Sequence, residues 1–158
     1  MDAPQFRQVF GHFATGVTVI TTAFDGWLHG MTANAVTSVS LDPLLLLVCV
    51  DKTAHAHGQI TKSGKFGVNI LSEDQEDVSR LFAEHTAPER DNLQGAPYYL
   101  GPNGTPVLEN CLGYIECAVT DQCGGGDHTI FIGNPVHGEI LREAAPLLFY
   151  RGGYRTLV

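Results

Sequence analysis

Apolar and polar positions along the chain predict many short strands and few helices. One apolar stripe recurs at helical spacing and predicts a short amphipathic helix near the start: Phe6, Val9, Phe10 and Phe13. Residues 17–23 are rich in β-branched side chains and predict a strand, and the Asp25-Gly26 pair after them is a hairpin-turn signal. Residues 44–50 are apolar without alternation, which is typical of a strand buried on both faces.

The second half of the chain continues this pattern. Ser72 and Gln75 have the spacing of a capping box and an apolar stripe follows, so a second helix is expected there. Residues 85–106 have no periodicity, which favours a loop that covers a site or contacts another subunit. Further strands are predicted at residues 66–71, 112–120, 129–132, 136–141 and 147–150. The prediction is a mainly β chain, an antiparallel β-barrel with a few peripheral α-helices.

Composition narrows the class of protein. The 158 residues are 44% hydrophobic and 16% charged, which suits one domain over residues 1–158 with a sizeable core. The formal net charge of −8 argues against a nucleic-acid partner and against docking on an anionic membrane. No signal-peptide pattern or membrane-length apolar run is visible, and the four cysteines form no C-x-x-C pair, so a cytoplasmic protein with free thiols is expected.

The common catalytic and metal-binding motifs are absent from the sequence. There is no G-x-G-x-x-G after a strand, no P-loop, no H-E-x-x-H and no G-x-S-x-G. His55 and His57 could supply half of a metal site, but no further ligands lie at a suitable spacing, so no metal is expected. Three cysteines recur every six residues and are interpreted as buried thiols in a sheet: Cys111, Cys117 and Cys123.

Three segments have both a functional and an ordinary structural interpretation. Residues 124–128, Gly-Gly-Gly-Asp-His, fit either a strand start that faces a ligand or a solvated hairpin. Residues 31–40 are mostly small or hydroxylated, which leaves room for a flat ligand or else forms a polar edge strand. Lys52 and Thr53 precede a predicted helix with Thr53 as its N-cap. The free N–H groups at the start of this helix could bind a phosphate, or the two residues could form a simple helix cap without a ligand.

Six short stretches carry a family resemblance that covers almost the whole chain. They are FATGVTV at 13–19, GMTAN at 30–34, TSVSLDP at 37–43, FGVNIL at 66–71, GDH at 126–128 and YRGGY at 150–154. In this order they resemble the flavin reductase family, the short reductase partners of two-component flavin monooxygenases. The resemblance implies a split antiparallel β-barrel and a homodimer that binds FMN or FAD noncovalently and oxidises NADH or NADPH. It further implies that reduced flavin is released to a monooxygenase component.

The resemblance also implies a set of site residues. Those that correspond to the segments lining the flavin ring and ribityl chain are Thr32, Ala33, Asn34, Ser38, Val39 and Ser40. Those that correspond to the region receiving the flavin phosphate, or to a segment near the rest of the flavin, are Asp51, Lys52, Thr53, His57, Phe82 and Ala83. His128 corresponds to the histidine that touches the nicotinamide, and Tyr154 belongs to the C-terminal motif at the cofactor face.

Hydride transfer needs close positioning but no protein nucleophile or general base, because the flavin supplies the redox chemistry. Thr32 is therefore expected to hydrogen-bond near the flavin ring, and His128 is expected to act as the catalytic residue by positioning the nicotinamide. Few basic residues lie near the His128 loop to pair with a 2′-phosphate, so NADH is preferred to NADPH. The alternative is a module of the same fold that retains its flavin for electron transfer or binding.

Overall fold

The computed structural model describes residues 1–84, 93 and 95–157. The helices of these residues are α1 (Ala3–Phe10), α2 (His55–Ser63) and α3 (Glu76–Ala83). Their strands are β1 (Thr15–Gly16), β2 (Thr18–Phe24), β3 (Trp27–Ala33), β4 (Val36–Leu41), β5 (Leu44–Asp51), β6 (Lys65–Ile70), β7 (Tyr98–Leu100), β8 (Pro106–Leu108), β9 (Gly113–Gly125), β10 (His128–Ile140), β11 (Leu148–Tyr150) and β12 (Gly153–Arg155). The expected mainly β class with a few peripheral helices is confirmed.

Seven strands form one antiparallel sheet in the order β3-β2-β6-β9-β10-β5-β4. Its two edge strands, β3 and β4, are consecutive in the chain and are joined only by Asn34 and Ala35. Because two linking residues reach only about 10 Å, the sheet must curl until its two edges nearly meet. The result is a barrel with an open seam between β3 and β4.

Apolar side chains fill this barrel and cover one of its outer sides. Inside it, Phe66, Phe131 and Val48 are fully buried, and α2 contributes Ile60 to the same core. A second apolar cluster packs α3 onto the barrel through Phe82. Burial of a side chain of this size contributes about 1.5–3 kcal/mol, so Phe82 is the main apolar anchor of α3.

The predicted N-terminal helix is confirmed, but its apolar stripe is not buried. Asp2 and Gln5 form a capping box that begins α1, and the helix ends at Gly11. Phe6 and Phe10 stack with their ring centroids 5.6 Å apart, and each remains more than half exposed. The stripe is therefore an apolar surface of the chain and not part of its core.

The capping-box prediction places the start of the next helix too early. The Ser72 N–H donates to Gln75 Oε1 at 3.1 Å, while the Gln75 N–H donates to the Ser72 carbonyl. These bonds close a turn, and α3 begins only at Glu76 with Gln75 as its N-cap. Ser72 stays outside the helix because it forms a β-bridge with Pro146 from a distant part of the chain.

Two strand predictions are wrong in detail. In β5, Leu46, Val48 and Val50 are buried but the residues between them are only half-buried, because one face alone points into the barrel. Residues 129–132 and 136–141 were expected as two strands. Apart from Leu141, they belong to the single strand β10, which pairs with β9 along its length and carries two bulges.

Sequence patterns missed the short strands β1, β7, β8 and β12, each two or three residues long, and offered β4 only as the polar edge strand of an alternative. Of the predicted loop, residues 85–92 and 94 lie outside the described residues, while part of the remainder forms the β7–β8 pair. Among the described residues, no helix is long and apolar enough to cross a membrane.

The prediction of buried cysteines holds for two of the three. Cys111 and Cys117 are buried, and burial raises the pKa of their thiols to about 11 and about 12. Cys123 is exposed, which corrects the prediction, because β9 extends beyond the barrel core toward its hairpin with β10. These thiols and that of Cys49 are free.

Candidate active site

A cavity of about 350 Å³ opens at the seam of the barrel. Its walls come from the end of β3 and the link to β4, the end of β5, the amino end of α2, the carboxyl end of α3 and the start of β10. The fold thus brings five distant parts of the chain to one place. Both aromatic and polar groups face the cavity, as in sites for small organic ligands.

Most of the residues that the resemblance assigned to the site meet in this cavity. Those that line it are Thr32, Ala33, Asn34, Asp51, Thr53, Phe82, Ala83 and His128. The remaining predicted residues do not line it: Ser38, Val39, Ser40, Lys52, His57 and Tyr154.

The α3 side of the cavity is formed by Phe82, which packs against Gly30 of β3. A Cβ atom at Gly30 would lie 2.7 Å from two carbon atoms of the Phe82 ring. Only glycine permits this approach, because real carbon atoms do not come so close. The Phe82 ring therefore anchors α3 and forms the cavity wall at the same time.

A chain of hydrogen bonds fixes α3 between β3 and β12. The Thr32 hydroxyl donates to the Ser79 carbonyl at 2.6 Å, and the Ser79 hydroxyl lies 2.7 Å from the Tyr154 hydroxyl. Because the Thr32 proton is used on α3, its oxygen can only accept a hydrogen bond from a ligand. The Arg80 guanidinium lies 4.9 Å from the centre of the Tyr154 ring. Tyr154 thus supports the α3 wall from behind.

The amino end of α2 presents backbone N–H groups to the cavity. Asp51 Oδ1 accepts hydrogen bonds from the Thr53 N–H and hydroxyl at 2.7 and 2.8 Å, which closes the turn before the helix. Ala54 is the N-cap, and no side chain caps the first turn. The prediction of Thr53 as the N-cap is wrong, because the helix begins at His55 and Ala54 occupies the N-cap position. An uncapped helix start of this kind is suited to an anion.

Lys52 and His57 tie this helix start to the β9–β10 hairpin. The Lys52 ammonium donates to the Gly126 carbonyl at 2.7 Å. A ring nitrogen of His57 lies 2.8 Å from the Thr129 hydroxyl. Both contacts hold α2 against the hairpin, so these two residues position the cavity wall without lining it.

His128 begins β10 directly after the Gly126-Asp127 turn and pairs in register with Asp51 of β5. Its Nδ1 lies 2.7 Å from Asp127 Oδ1. Since a carboxylate only accepts, Nδ1 donates and Nε2 is left for a ligand. This hydrogen bond is the main reason why the pKa of the Asp127 carboxyl lies below its usual value. Residues 124–128 therefore contain a solvated turn and also place a histidine at the cavity.

The predicted flavin segment on residues 31–40 divides at the seam. Its residues up to Ala35 line the cavity. Ser38 and Val39 lie on exposed β4, with a bulge between Ser38 and Ser40. Residues 31–35 thus fit the interpretation of a ligand site, while residues 36–40 form the polar edge strand that was the other interpretation of this segment.

Several cavity residues were not singled out from the sequence as cofactor ligands. Cys49 lies two residues before Asp51 on the same face of β5, so strand alternation was a signal that could have found it. Burial and the nearby Cys123 raise the pKa of the Cys49 thiol. The rings of His29 and His55 meet edge to face at 6.1 Å. No group of His, Cys, Asp or Glu suited to a metal ion occurs in the described part of the chain.

Known proteins are similar to this chain in sequence and in fold. Residues 10–158 match the family described as the flavin reductase like domain. The chain is 42% identical over 156 residues to a probable flavin reductase of Rhizobium meliloti, covering 98% of this chain and 49% of that protein, so it spans about half of that relative. The chain belongs to the flavin reductase family. The expected enzyme class, a flavin reductase, is thereby confirmed.

Other members of the flavin reductase family match over more of their length. HsaB of Rhodococcus jostii, the reductase subunit of a flavin-dependent monooxygenase, is 38% identical over 98% of this chain and 77% of its own. The solved structure of SgcE6, an NADH:FAD oxidoreductase of Streptomyces globisporus, has a TM-score of 0.95 and 39% identity. This match covers 99% of this chain and 94% of that one. The flavin reductase-like fold is therefore confirmed as well.

Proposed function

We propose that residues 1–158 form one NADH-dependent flavin reductase domain that reduces free FMN or FAD and passes the product to a monooxygenase component. The observation that carries the proposal is the cavity at the seam, where the flavin segment of β3, the uncapped start of α2 and His128 meet. The names of HsaB and SgcE6 support it, because one is a monooxygenase reductase subunit and the other an NADH:FAD oxidoreductase. The free thiols suit a reducing cytoplasm.

The cavity matches a flavin in polarity and in the shape of its walls. The Thr32 oxygen accepts a hydrogen bond from a ring N–H, since its own proton is used on Ser79. The small side chains of Ala33 and Ala83 leave space beside the Phe82 ring, which offers apolar contact. The flavin phosphate is held by the N–H groups at the start of α2, because a helix N-terminus binds anions without a basic side chain.

Residues outside the cavity have supporting roles in this proposal. Ser38, Val39 and Ser40 continue from the seam along β4 and contact the ribityl side of the flavin. Lys52 and His57 hold α2 in place, and Tyr154 holds α3.

A bound flavin would supply the redox chemistry by taking a hydride from the nicotinamide, so the residues of the cavity would have to hold the two rings in contact. His128 Nε2 accepts an N–H of the nicotinamide carboxamide, while the Asp127 carboxylate fixes the ring through Nδ1. No side chain acts as a nucleophile or general base. His128 is thus the proposed catalytic residue in the sense that it touches and positions the hydride donor.

The charge of the cavity favours NADH over NADPH. Asp51 and Glu84 line it, and none of the described residues that line it is Lys or Arg. A 2′-phosphate would therefore meet carboxylates without a cation to pair with. Competition between the two nicotinamides at fixed flavin measures this preference.

We also propose that the protein is a homodimer. The outward face of β5 and β10 carries apolar side chains that are only half-buried: Leu45, Leu47, Ile130 and Ile132. This face continues through Cys49 to the cavity, and the exposed stripe of α1 adds a second apolar surface. Contiguous apolar patches on a protein surface mark interaction sites, and we assign this one to a second copy of the chain. Sedimentation equilibrium tests the dimer, and a monomer at micromolar concentration contradicts it.

The activity is tested by following the loss of NADH absorbance in three reactions: with FMN, with FAD and without added flavin. We expect turnover only when flavin is added, because the product must leave an open site. No turnover from a yellow protein that keeps its flavin through gel filtration favours the flavin-retaining module. A colourless protein that is inactive with both flavins overturns the proposal.

Replacing His128 tests its assigned role. His128→Ala removes one hydrogen bond to the nicotinamide, so the KM for NADH should rise about fivefold, the equivalent of about 1 kcal/mol. His137→Ala is the matched control, because His137 lies on the same strand with similar exposure but outside the cavity. Loss of flavin binding with normal NADH kinetics at saturating flavin would show that His128 is assigned wrongly.

A further inference from the structure

A pocket of about 340 Å³ lies between the polar side of α1 and the turn that joins β11 to β12. Its walls are formed by Arg7, Gln8, Gly11, His12, Arg151 and Gly152. None of these residues lines the candidate active site. Residues 7, 8, 11 and 12 lie opposite the apolar stripe of α1, because the two sets interleave at helical spacing. The pocket is therefore separate from the cavity at the seam and from the apolar surface of α1.

This pocket is basic although the chain as a whole is acidic. The formal net charge is −8, and two of the nine Lys and Arg residues, Arg7 and Arg151, line the pocket. None of the described residues that line it is acidic. Arg80 and Arg142 form ion pairs with carboxylates. Within the described part of the chain, the guanidinium groups of Arg7 and Arg151 form no such pair, so both can bind an anionic ligand.

Backbone hydrogen bonds hold the two arginines on either side of Gly11. The Gly11 N–H donates to the Arg7 carbonyl at 2.9 Å, and the Arg151 N–H donates to the Gly11 carbonyl at 2.9 Å. A Cβ at Gly11 would lie 3.8 Å from Arg151 Cα. The turn thus packs directly on the end of α1, and the two cationic side chains extend from a fixed backbone.

Arg151 has a backbone conformation in which arginine is unusual. Its φ is 50° and that of Gly152 is 75°, so both are left-handed, as in the favoured two-residue hairpin turn. Asn and Gly are preferred at such positions, because the Cβ of other residues crowds the following carbonyl oxygen. The turn geometry therefore does not explain an arginine here, whereas a requirement for positive charge at the pocket does.

His12 adds a third polar group to the pocket. Its Nδ1 donates to the Gln8 carbonyl at 2.9 Å, and its ring meets the Tyr150 ring edge to face at 6.1 Å. These contacts fix the ring and leave Nε2 for a ligand, to which it donates when the imidazole is protonated. Each guanidinium group offers a planar fork of N–H donors, which matches the oxygen atoms of a phosphate.

We propose that this pocket binds the phosphate group of a small molecule, at a site distinct from those of the flavin and the nicotinamide. A phosphate dianion balances the charges of the two guanidinium groups and accepts several hydrogen bonds at once. The ligand is inorganic phosphate or a phosphate monoester. This inference does not depend on the proposed function, because the pocket and the cavity share no residue.

Isothermal titration calorimetry with inorganic phosphate, in chloride buffer at constant ionic strength and without flavin, tests the pocket. We expect saturable binding by the wild type. Arg7→Gln and Arg151→Asn should each weaken it about tenfold or more, because each removes a charge-assisted hydrogen bond. Asparagine is preferred at a left-handed turn position, so the Tm of Arg151→Asn without phosphate should be no lower than that of the wild type.

Arg155→Asn is the matched control. It removes the same charge from the same hairpin but lies outside the pocket, so it should bind phosphate as the wild type does. No saturable heat in the wild type overturns the inference, and so does unchanged affinity in both pocket variants. An equal loss in Arg155→Asn overturns it as well, because it would show a general effect of charge.

Two further titrations identify the source of the phosphate. Glycerol 3-phosphate that binds more tightly than inorganic phosphate indicates a monoester, and equal or weaker binding indicates inorganic phosphate. NADH that displaces phosphate from the wild type overturns the inference, since the anion would then belong to the nicotinamide dinucleotide. None of these measurements involves turnover, so a failure of flavin reduction contradicts the proposed function alone.

Discussion

Replacing Gly30 with alanine tests whether the close approach of β3 and α3 shapes the cavity. The added Cβ would lie 2.7 Å from Phe82 Cδ1 and Cε1 and 3.3 Å from Leu93 Cδ2. The first two distances are about 1 Å shorter than a favourable carbon–carbon contact. The Phe82 ring is 2% exposed and packs within the second apolar cluster. The substitution should therefore push the ring toward the cavity or move α3 away from β3.

The expected cost combines two opposing effects. Overpacking a buried site costs about 1–3 kcal/mol. Alanine also restricts the unfolded chain, which stabilises by about 0.4–1 kcal/mol where the backbone accepts it, and Gly30 is not among the positive-φ glycines. The net loss is about 1–2 kcal/mol, which lowers Tm by about 2–8 °C for a chain of this length.

Thermal unfolding measured by circular dichroism checks this value. Gly16→Ala is the control, because a Cβ there meets nothing within 4 Å, and its Tm should equal or exceed that of the wild type. Phe82→Leu combined with Gly30→Ala should relieve part of the clash, so a double-mutant cycle should give a favourable coupling of about 1 kcal/mol. An unchanged Tm for Gly30→Ala together with no coupling would refute the reasoning.

Contacts elsewhere in the structure lead to three more expectations. Thr32→Val removes the hydrogen bond to the Ser79 carbonyl and should lower the free energy of unfolding in urea by about 1 kcal/mol; wild-type stability contradicts this. Glu116 is fully buried and accepts hydrogen bonds from a loop. Glu116→Ala should therefore lower the free energy of unfolding by about 3 kcal/mol in the same assay, and Glu116→Gln should lower it by less. Equal losses in the two variants argue against a role of this carboxyl group in holding the loop. In the native protein, iodoacetamide should modify Cys123 but not Cys117, because burial raises the pKa of the Cys117 thiol to about 12. Mass spectrometry of peptides checks this, and early modification of Cys117 contradicts it.

Local patterns predicted the elements whose cause is local. The β-branched run at 17–23 becomes β2, and the apolar run at 66–71 becomes most of β6, because such side chains suit a pleated, buried surface. The start of α3 was misplaced because Ser72 is held by Pro146, a partner far along the chain. No local signal reports such a contact.

The candidate site was predictable only through the family resemblance. Spacing alone left residues 124–128 and 31–40 with two interpretations each, and the structure shows that each segment contains both. Tyr154 was expected at the cofactor face, but its hydroxyl contacts Ser79 behind α3. The direction of a side chain depends on packing between elements, and sequence position does not determine it.

The sequence by itself determined the mainly β class, the family and most segments that form the site, because side-chain type and order along the chain carry this information. Only the tertiary structure decided that β3 and β4 close a seam, that Gly30 and Phe82 shape its wall, and that Arg7 and Arg151 meet at one pocket beside α1. These features arise where distant segments meet. Their geometry follows from the curling of the whole sheet, which no single stretch of the chain encodes.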